Sequence, residues 1–212
     1  MKVEVRDSKV VIEGYVNAVE RESRLLPKSA ASSQECRGPF VEKVATGTFQ
    51  KALTRNTDIK MLFNHKADRL LGGTADGSLK LTEDNIGLKA EAEIEDEEVR
   101  TAALAGKLRG WSFGFFTNAD EWADDKKKGC QIRTLKDIDV TEVSILTVTP
   151  AYIATSVEVR SEEDEEKTAE IRAEEEETEI RVIEREEKHP DEKIDLSLYR
   201  ATMEILKLGG HE

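Results

Sequence analysis

The chain is poor in the residues that most often announce a function. In 212 residues it has three histidines, two cysteines and four prolines, and aromatic side chains make up 5% of it. Cys36 and Cys130 lie in polar, loop-like stretches without metal-ligand spacing, so they read as free thiols, not as a disulfide framework. Only one histidine falls where a folded domain is expected; one imidazole and two loop thiols are too few for a zinc site, and neither a metal nor an organic cofactor is expected. No apolar run approaches the roughly 18 residues that a membrane span needs. The opening Met1-Lys2-Val3-Glu4-Val5-Arg6 lacks the apolar region of a signal peptide, so a cytosolic protein is expected, with no membrane partner. A basic stripe and an aromatic ladder are also missing, and a formal net charge of −13 would repel phosphate, which argues against nucleic-acid binding.

The acidity is concentrated at one end. Residues 1–160 hold 24 Lys and Arg against 26 Asp and Glu, whereas residues 161–212 hold 8 against 19. The expected organisation is therefore one domain over 1–160, an acidic linker or solvated helix over 161–190, and a short amphipathic helix over 191–212. The last segment places Leu196, Tyr199, Met203 and Leu206 at three- and four-residue intervals before Gly209-Gly210.

Within the domain, the pattern is mostly that of strands. Lys2 to Arg6 and Lys9 to Ala18 alternate on either side of Asp7-Ser8 and predict a hairpin. Residues 20–38 are polar and broken by Pro27 and Gly38, a loop long enough to act as a flap over a cleft. Phe40, Val44, Phe49 and Leu53 fall near helical spacing, interrupted at Gly47, and a strand from Asp58 to His65 follows. Short alternating segments at Ser78 to Leu81 and Gly87 to Ile94 are punctuated by glycine turns. Asp96 is placed to cap a helix running to about Gly106, with Val99, Ala102 and Ala103 on one face. Strands resume at Trp111 to Thr117, Gln131 to Leu135 and Ile138 to Val148. The fold class expected is α+β, mainly β: a small antiparallel barrel ringed by a few helices, with an acidic helical or disordered tail.

Three residues in otherwise apolar settings could carry chemistry. His65 closes the run Lys60-Met61-Leu62-Phe63-Asn64-His65, Ser112 lies inside Gly110-Trp111-Ser112-Phe113-Gly114-Phe115-Phe116, and Glu142 opens Glu142-Val143-Ser144-Ile145-Leu146. A serine hydroxyl is a poor nucleophile at neutral pH; it needs a base within hydrogen-bond reach and a third group to fix that base's tautomer. His189 and His211 lie in the acidic tail, which leaves His65 as the base. Glu142 alternates away from the Val143 and Ile145 face, and Asp137 and Asp139 are rivals for its place. Ser112 also matches the letters Gly-x-Ser-x-Gly of an esterase elbow, but a strand-like run follows it where that elbow needs a helix. Read singly, each residue has a plain alternative: a structural histidine at a strand end, a strand serine packed among aromatics, a carboxylate on a solvent-facing edge. A thiol nucleophile, Cys36 or Cys130 with His65, is a further reading, although neither cysteine stands at a helix start that would acidify it.

The blocks taken together resemble the prohead maturation proteases of tailed bacteriophages, serine peptidases related in fold to the herpesvirus assemblins. The resemblance covers about Val10 to Arg160. It runs through Ile12-Glu13-Gly14-Tyr15, Phe40-Val41-Glu42 with Gly47-Thr48-Phe49, Asn64-His65, Gly87-Leu88, the Ser112 box, and Thr141-Glu142-Val143-Ser144-Ile145 with Thr149-Pro150-Ala151-Tyr152. It implies His65 as general base, Ser112 as nucleophile and Glu142 as the residue orienting His65, although the viral relatives have a second histidine in that third place. It further implies a small β-barrel ringed by helices, and an endopeptidase that cuts the scaffolding region of the capsid protein, or a separate scaffold, inside an assembling procapsid in the host cytoplasm. By the same resemblance a homodimer is expected, and the tail would serve as a scaffold-binding tether that is itself clipped. The rival from another class is a non-catalytic scaffolding protein that keeps the fold without the activity.

Overall fold

The opening residues alternate Val3 and Val5 against charged neighbours, and Val10 and Ile12 do the same after the turn, so one face of each segment must be buried. In the computed structural model, which describes residues 1–147, 154–160, 166–173 and 179–183, they form the hairpin β1 (Lys2–Arg6) and β2 (Lys9–Ala18), paired from Lys2↔Glu13 to Arg6↔Lys9 as the pattern predicts. There follow β3 (Phe40–Val44), α1 (Thr48–Arg55), β4 (Lys60–Phe63), β5 (Lys66–Gly73), β6 (Leu79–Glu83), β7 (Gly87–Ile94) and α2 (Glu97–Leu104). The long hairpin β8 (Gly110–Asp125) and β9 (Cys130–Leu146) comes next, then β10 (Ala154–Arg160), β11 (Glu166–Ala173) and β12 (Glu179–Ile183).

The chain is mainly β, as expected, but among the described residues the strands form two sheets and not a closed barrel. One sheet has the order β12-β1-β2-β7-β6; the other runs β10-β11-β8-β9-β4-β5, with β3 also on β9. A single cluster fills the space between them: Val3, Ile12, Leu88 and Ile94 from the first sheet, Met61, Phe63, Trp111, Phe113, Val143 and Ile145 from the second, and Phe49 and Val99 from the helices. Each sheet is thus apolar on one side only, which explains the alternation along its strands.

The second sheet is mixed because β3 and β4 both run parallel to β9. Phe40↔Gln131 to Val44↔Leu135 fill one stretch of its edge and Lys60↔Glu142 to Phe63↔Ile145 another. Helix α1 bridges the gap. Thr48 Oγ1 donates to the carbonyls of Leu135 and Lys136, Arg55 to that of Ile138, and Asn56 Nδ2 to that of Val140, so the unpaired backbone between the two stretches is satisfied by side chains. This corrects the helical reading of Phe40 to Leu53: Phe40 and Val44 belong to a strand, and Gly47, at φ 85°, breaks the chain before α1 begins. The cap predicted for the second helix is present, with the Asp96 side chain accepting from Val99 N–H and Val99, Ala102 and Ala103 buried.

The loop expected to be a flap is pinned instead. Leu26 pairs with Phe40, and Leu26, Ala30 and Cys36 bury against Phe40 in a second small core. Within the acidic segment, where a solvated helix or unstructured linker was expected, residues 166–173 and 179–183 are strands; β11 lies antiparallel on β8, and β12 parallel on β1. Composition hid this, because Glu170 and Arg172 are buried as ions and not as apolar groups. The amphipathic segment expected over 191–212 lies outside the described residues, as do Thr149-Pro150-Ala151-Tyr152.

Candidate active site

His65 owes its position to a tight turn. Phe63 and Lys66 are paired across β4 and β5, and the two residues between them, Asn64 and His65, both have positive φ, 54° and 58°. Two left-handed residues in a two-residue loop match the twist of the flanking strands, and asparagine tolerates that conformation well. For histidine it is less favourable, so surrounding bonds must hold it. Asn64 N–H donates to Ile145 O, Asn64 Oδ1 accepts from Thr147 N–H, and His65 N–H donates to Ser144 Oγ at 3.2 Å. The strand predicted to run through His65 therefore ends at Phe63, and the imidazole is presented by the turn.

Glu142 sits on β9 between β4 and β8. Its Oε1 lies 2.7 Å from His65 Nδ1, and its Oε2 accepts from Ser144 Oγ at 2.7 Å. An ionised carboxylate can only accept, so Nδ1 carries a proton, and in the neutral imidazole Nε2 then keeps its lone pair. That Nε2 is buried and has no hydrogen-bond partner among the described residues. The rivals for the carboxylate role are engaged elsewhere: Asp137 and Asp139 both pair with Arg55.

Ser112 lies within β8, opposite Ser144, while Gly114 lies opposite Glu142. Cross-strand partners project to the same side of a sheet, so Ser112, Glu142 and Ser144 share the face turned away from Phe113, Val143 and the main core. A serine inside a strand is not at a strand-to-helix elbow, and the esterase reading falls on that ground. Ser112 is fully buried, and its hydroxyl donates to Arg172 O of β11 at 2.6 Å, not to His65. The structure thus joins His65 to Glu142 directly, and brings Ser112 to the neighbouring strand position with its hydroxyl turned to the tail.

Two residues of this arrangement escaped the sequence reading as contributors. Ser144 holds both the carboxylate and the His65 backbone; its signal was the two-residue spacing from Glu142. Gly114 provides room: a Cβ there would come within 2.9 Å of Glu142 Oε1 and 3.1 Å of Thr141 Oγ1. Because the nearest atom is the end of a flexible side chain, Gly114→Ala is expected to fold while displacing the carboxylate. A misplacement of about 1 Å can cost on the order of 10²-fold in rate. Unchanged turnover with the thermal midpoint also unchanged would show that the glycine has no such part.

Beside the serine, β11 is anchored by buried charge. Arg133, itself fully buried, donates to Glu42, Asp120, Thr117 and Glu170, and Arg172 bonds Glu42, Glu170 and Ala30 O, with its guanidinium 5.4 Å from the Phe115 ring. Burial pushes the Glu170 carboxyl up, but the Arg133 guanidinium and the neighbouring Arg172 outweigh it and hold the group below its ordinary 4.5. A depressed carboxylate stabilises the docked strand fully above that ordinary value, and the contribution is lost as pH falls through the lower bound-state value. Release of β11 on acidification, read as faster amide exchange over residues 166–173 as the pH falls below the ordinary carboxylate range, is therefore expected; protection in residues 166–173 that persists until the whole domain unfolds in acid would refute it. Glu42 and Asp120 across Arg133, and Ser32 and Thr117 on Glu170 Oε1, are the other polar groups facing this cluster.

A histidine-carboxylate pair and a buried strand serine on a mainly β scaffold supply the side chains that serine-peptidase chemistry uses. The family described as Caudovirus prohead serine protease matches residues 1–170, and the chain belongs to that family. No curated protein and no solved structure matches the chain.

Proposed function

We propose that this chain is the endopeptidase that matures the prohead of a tailed phage, with Ser112 as nucleophile, His65 as general base and Glu142 as the carboxylate that orients His65. The observation that carries the reading is the 2.7 Å contact of Glu142 with His65 Nδ1, which leaves a free Nε2 on the sheet face that also bears Ser112. In this scheme Nε2 takes the Ser112 proton as Oγ adds to a peptide carbonyl, and returns it to the departing amine; water then clears the acyl-enzyme. The substrate is the scaffolding region of the capsid protein or a separate scaffold, with the chain's own tail as a further target, and the enzyme works as a homodimer within the assembling shell.

Co-expression with the capsid protein of the same phage tests this. Shells in which the scaffolding region of the capsid protein, or a separate scaffold expressed with it, has been cut are expected, and shells in which both remain full length would overturn the reading.

A further inference from the structure

The outer edge of β8 is where an extended peptide would add as a strand, and in this structure it is taken by the chain's own tail. β11 pairs antiparallel with β8 from Glu170↔Phe115 to Ala173↔Ser112, and this register sets the Arg172 carbonyl 2.6 Å from Ser112 Oγ. Alternate residues of a strand share a face, so Glu170 and Arg172 project together while Ile171 turns the other way and is half-buried. The pair meets opposite charges: Arg133 receives Glu170, and Glu42 receives Arg172 through both carboxylate oxygens, at 2.6 and 3.0 Å. Ala30 O and Ser32 complete the two pockets.

The sequence repeats what is docked there. Glu158-Val159-Arg160, Glu170-Ile171-Arg172 and Glu179-Ile180-Arg181 all present glutamate, an aliphatic residue and arginine. Two further copies are locked elsewhere: Glu4-Val5-Arg6 in β1, by pairing on both edges, and Glu98-Val99-Arg100 in α2, with Val99 buried.

We propose that the β8 edge is the substrate-strand site, that residues 170–173 occupy it as a resident substrate, and that Arg133 and Glu42 select peptides of the form Glu-X-Arg, cut after the arginine. The proposal rests on the catalytic reading above and adds substrate class and two specificity-determining residues to it. For the resident strand, Ser112 Oγ bonds to the Arg172 carbonyl carbon and its proton passes to His65 Nε2. The bond to Ala173 then breaks and that proton goes to the new amine; a water molecule hydrolyses the Arg172 ester and restores the hydroxyl. In the resting arrangement the hydroxyl bonds the carbonyl oxygen and not His65, so the tail blocks the nucleophile until it is displaced. A tethered strand competes at an effective concentration in the millimolar range, which favours activity only where substrate is as densely packed.

The test uses the full chain and a fluorogenic peptide with the sequence of residues 168–175, Thr-Ala-Glu-Ile-Arg-Ala-Glu-Glu. Cleavage after arginine is expected, with kcat/KM lower by on the order of 10² when the peptide's arginine or glutamate is replaced by glutamine, because Glu42 or Arg133 then loses a charged partner in a buried pocket and keeps only the others. Chains carrying E170Q and R172Q are expected to cut the unaltered peptide several-fold faster than wild type, since the resident strand is loosened. Glu42→Gln is expected to narrow the discrimination between the arginine and glutamine peptides. Ser112-dependent cleavage of capsid protein or casein without preference for Glu-X-Arg would overturn this inference and leave the catalytic reading standing. Absence of any Ser112-dependent cleavage would overturn both.

Discussion

Replacing Ser112 with alanine is expected to lower peptide cleavage by on the order of 10⁴-fold or more without unfolding the protein. The hydroxyl is the only group removed, and among the described residues its hydrogen bond is to a backbone carbonyl of the tail. Loss of such a bond costs about 1 kcal/mol, and the aromatic neighbours Trp111 and Phe113, which hold β8 to the core, are untouched. What the substitution removes from catalysis is the covalent route itself. The rate that survives would come from binding and polarisation of the carbonyl alone, and the loss is therefore expected in kcat with little change in KM. The measurement is a progress curve of capsid-protein or peptide cleavage by mass spectrometry, together with a thermal unfolding trace for each protein. A variant that still cleaves within about tenfold of wild type would show that Ser112 is not the nucleophile. A variant that loses activity and also its thermal midpoint would instead assign the effect to packing.

Much of the architecture was legible because it depends on local alternation. Val3 and Val5 against Val10 and Ile12 specify a hairpin and its register without reference to the rest of the chain, and Asp96 before Val99 and Ala103 specifies a capped helix in the same way. The parallel contacts of β3 and β4 with β9 were not legible, since each joins residues more than 80 positions apart and leaves no periodic trace in either partner. The barrel expectation failed for the same reason: strand content can be counted from the sequence, but closure depends on which edges meet. The tail was misread for a different reason. Glu170 and Arg172 look like solvated residues in an acidic stretch, and only the buried Arg133 and Glu42, remote in sequence, make them interior groups. For the candidate site, residue type singled out His65, the Gly-x-Ser-x-Gly box drew attention to Ser112, and alternation put Glu142 on the right face. The turn that aims His65, the support from Ser144 and the space at Gly114 are matters of geometry that three scattered letters do not record.

The carboxylate is where an isosteric change separates charge from shape most cleanly. Glu142→Gln keeps the length of the side chain, so Ser144 Oγ and His65 Nδ1 remain within reach of the new amide. The amide carries N–H donors that the carboxylate lacks. If the amide nitrogen faces Nδ1, the imidazole must accept there and protonate at Nε2, which removes the lone pair needed to take the Ser112 proton; if its oxygen faces Nδ1, the charge that stabilises the developing imidazolium is still lost. Either way a fall in kcat of about 10³ to 10⁴ is expected, the size seen when a triad carboxylate is replaced by its amide. The stability change is expected to be small because no volume changes. The control is Asp137→Asn or Asp139→Asn, each of which weakens a partly exposed pair with Arg55 and is expected to leave the rate within about twofold. A glutamine variant as active as these controls would show that His65 is oriented by something other than Glu142, and the second place to look would be the Ser144 hydroxyl, which already touches both.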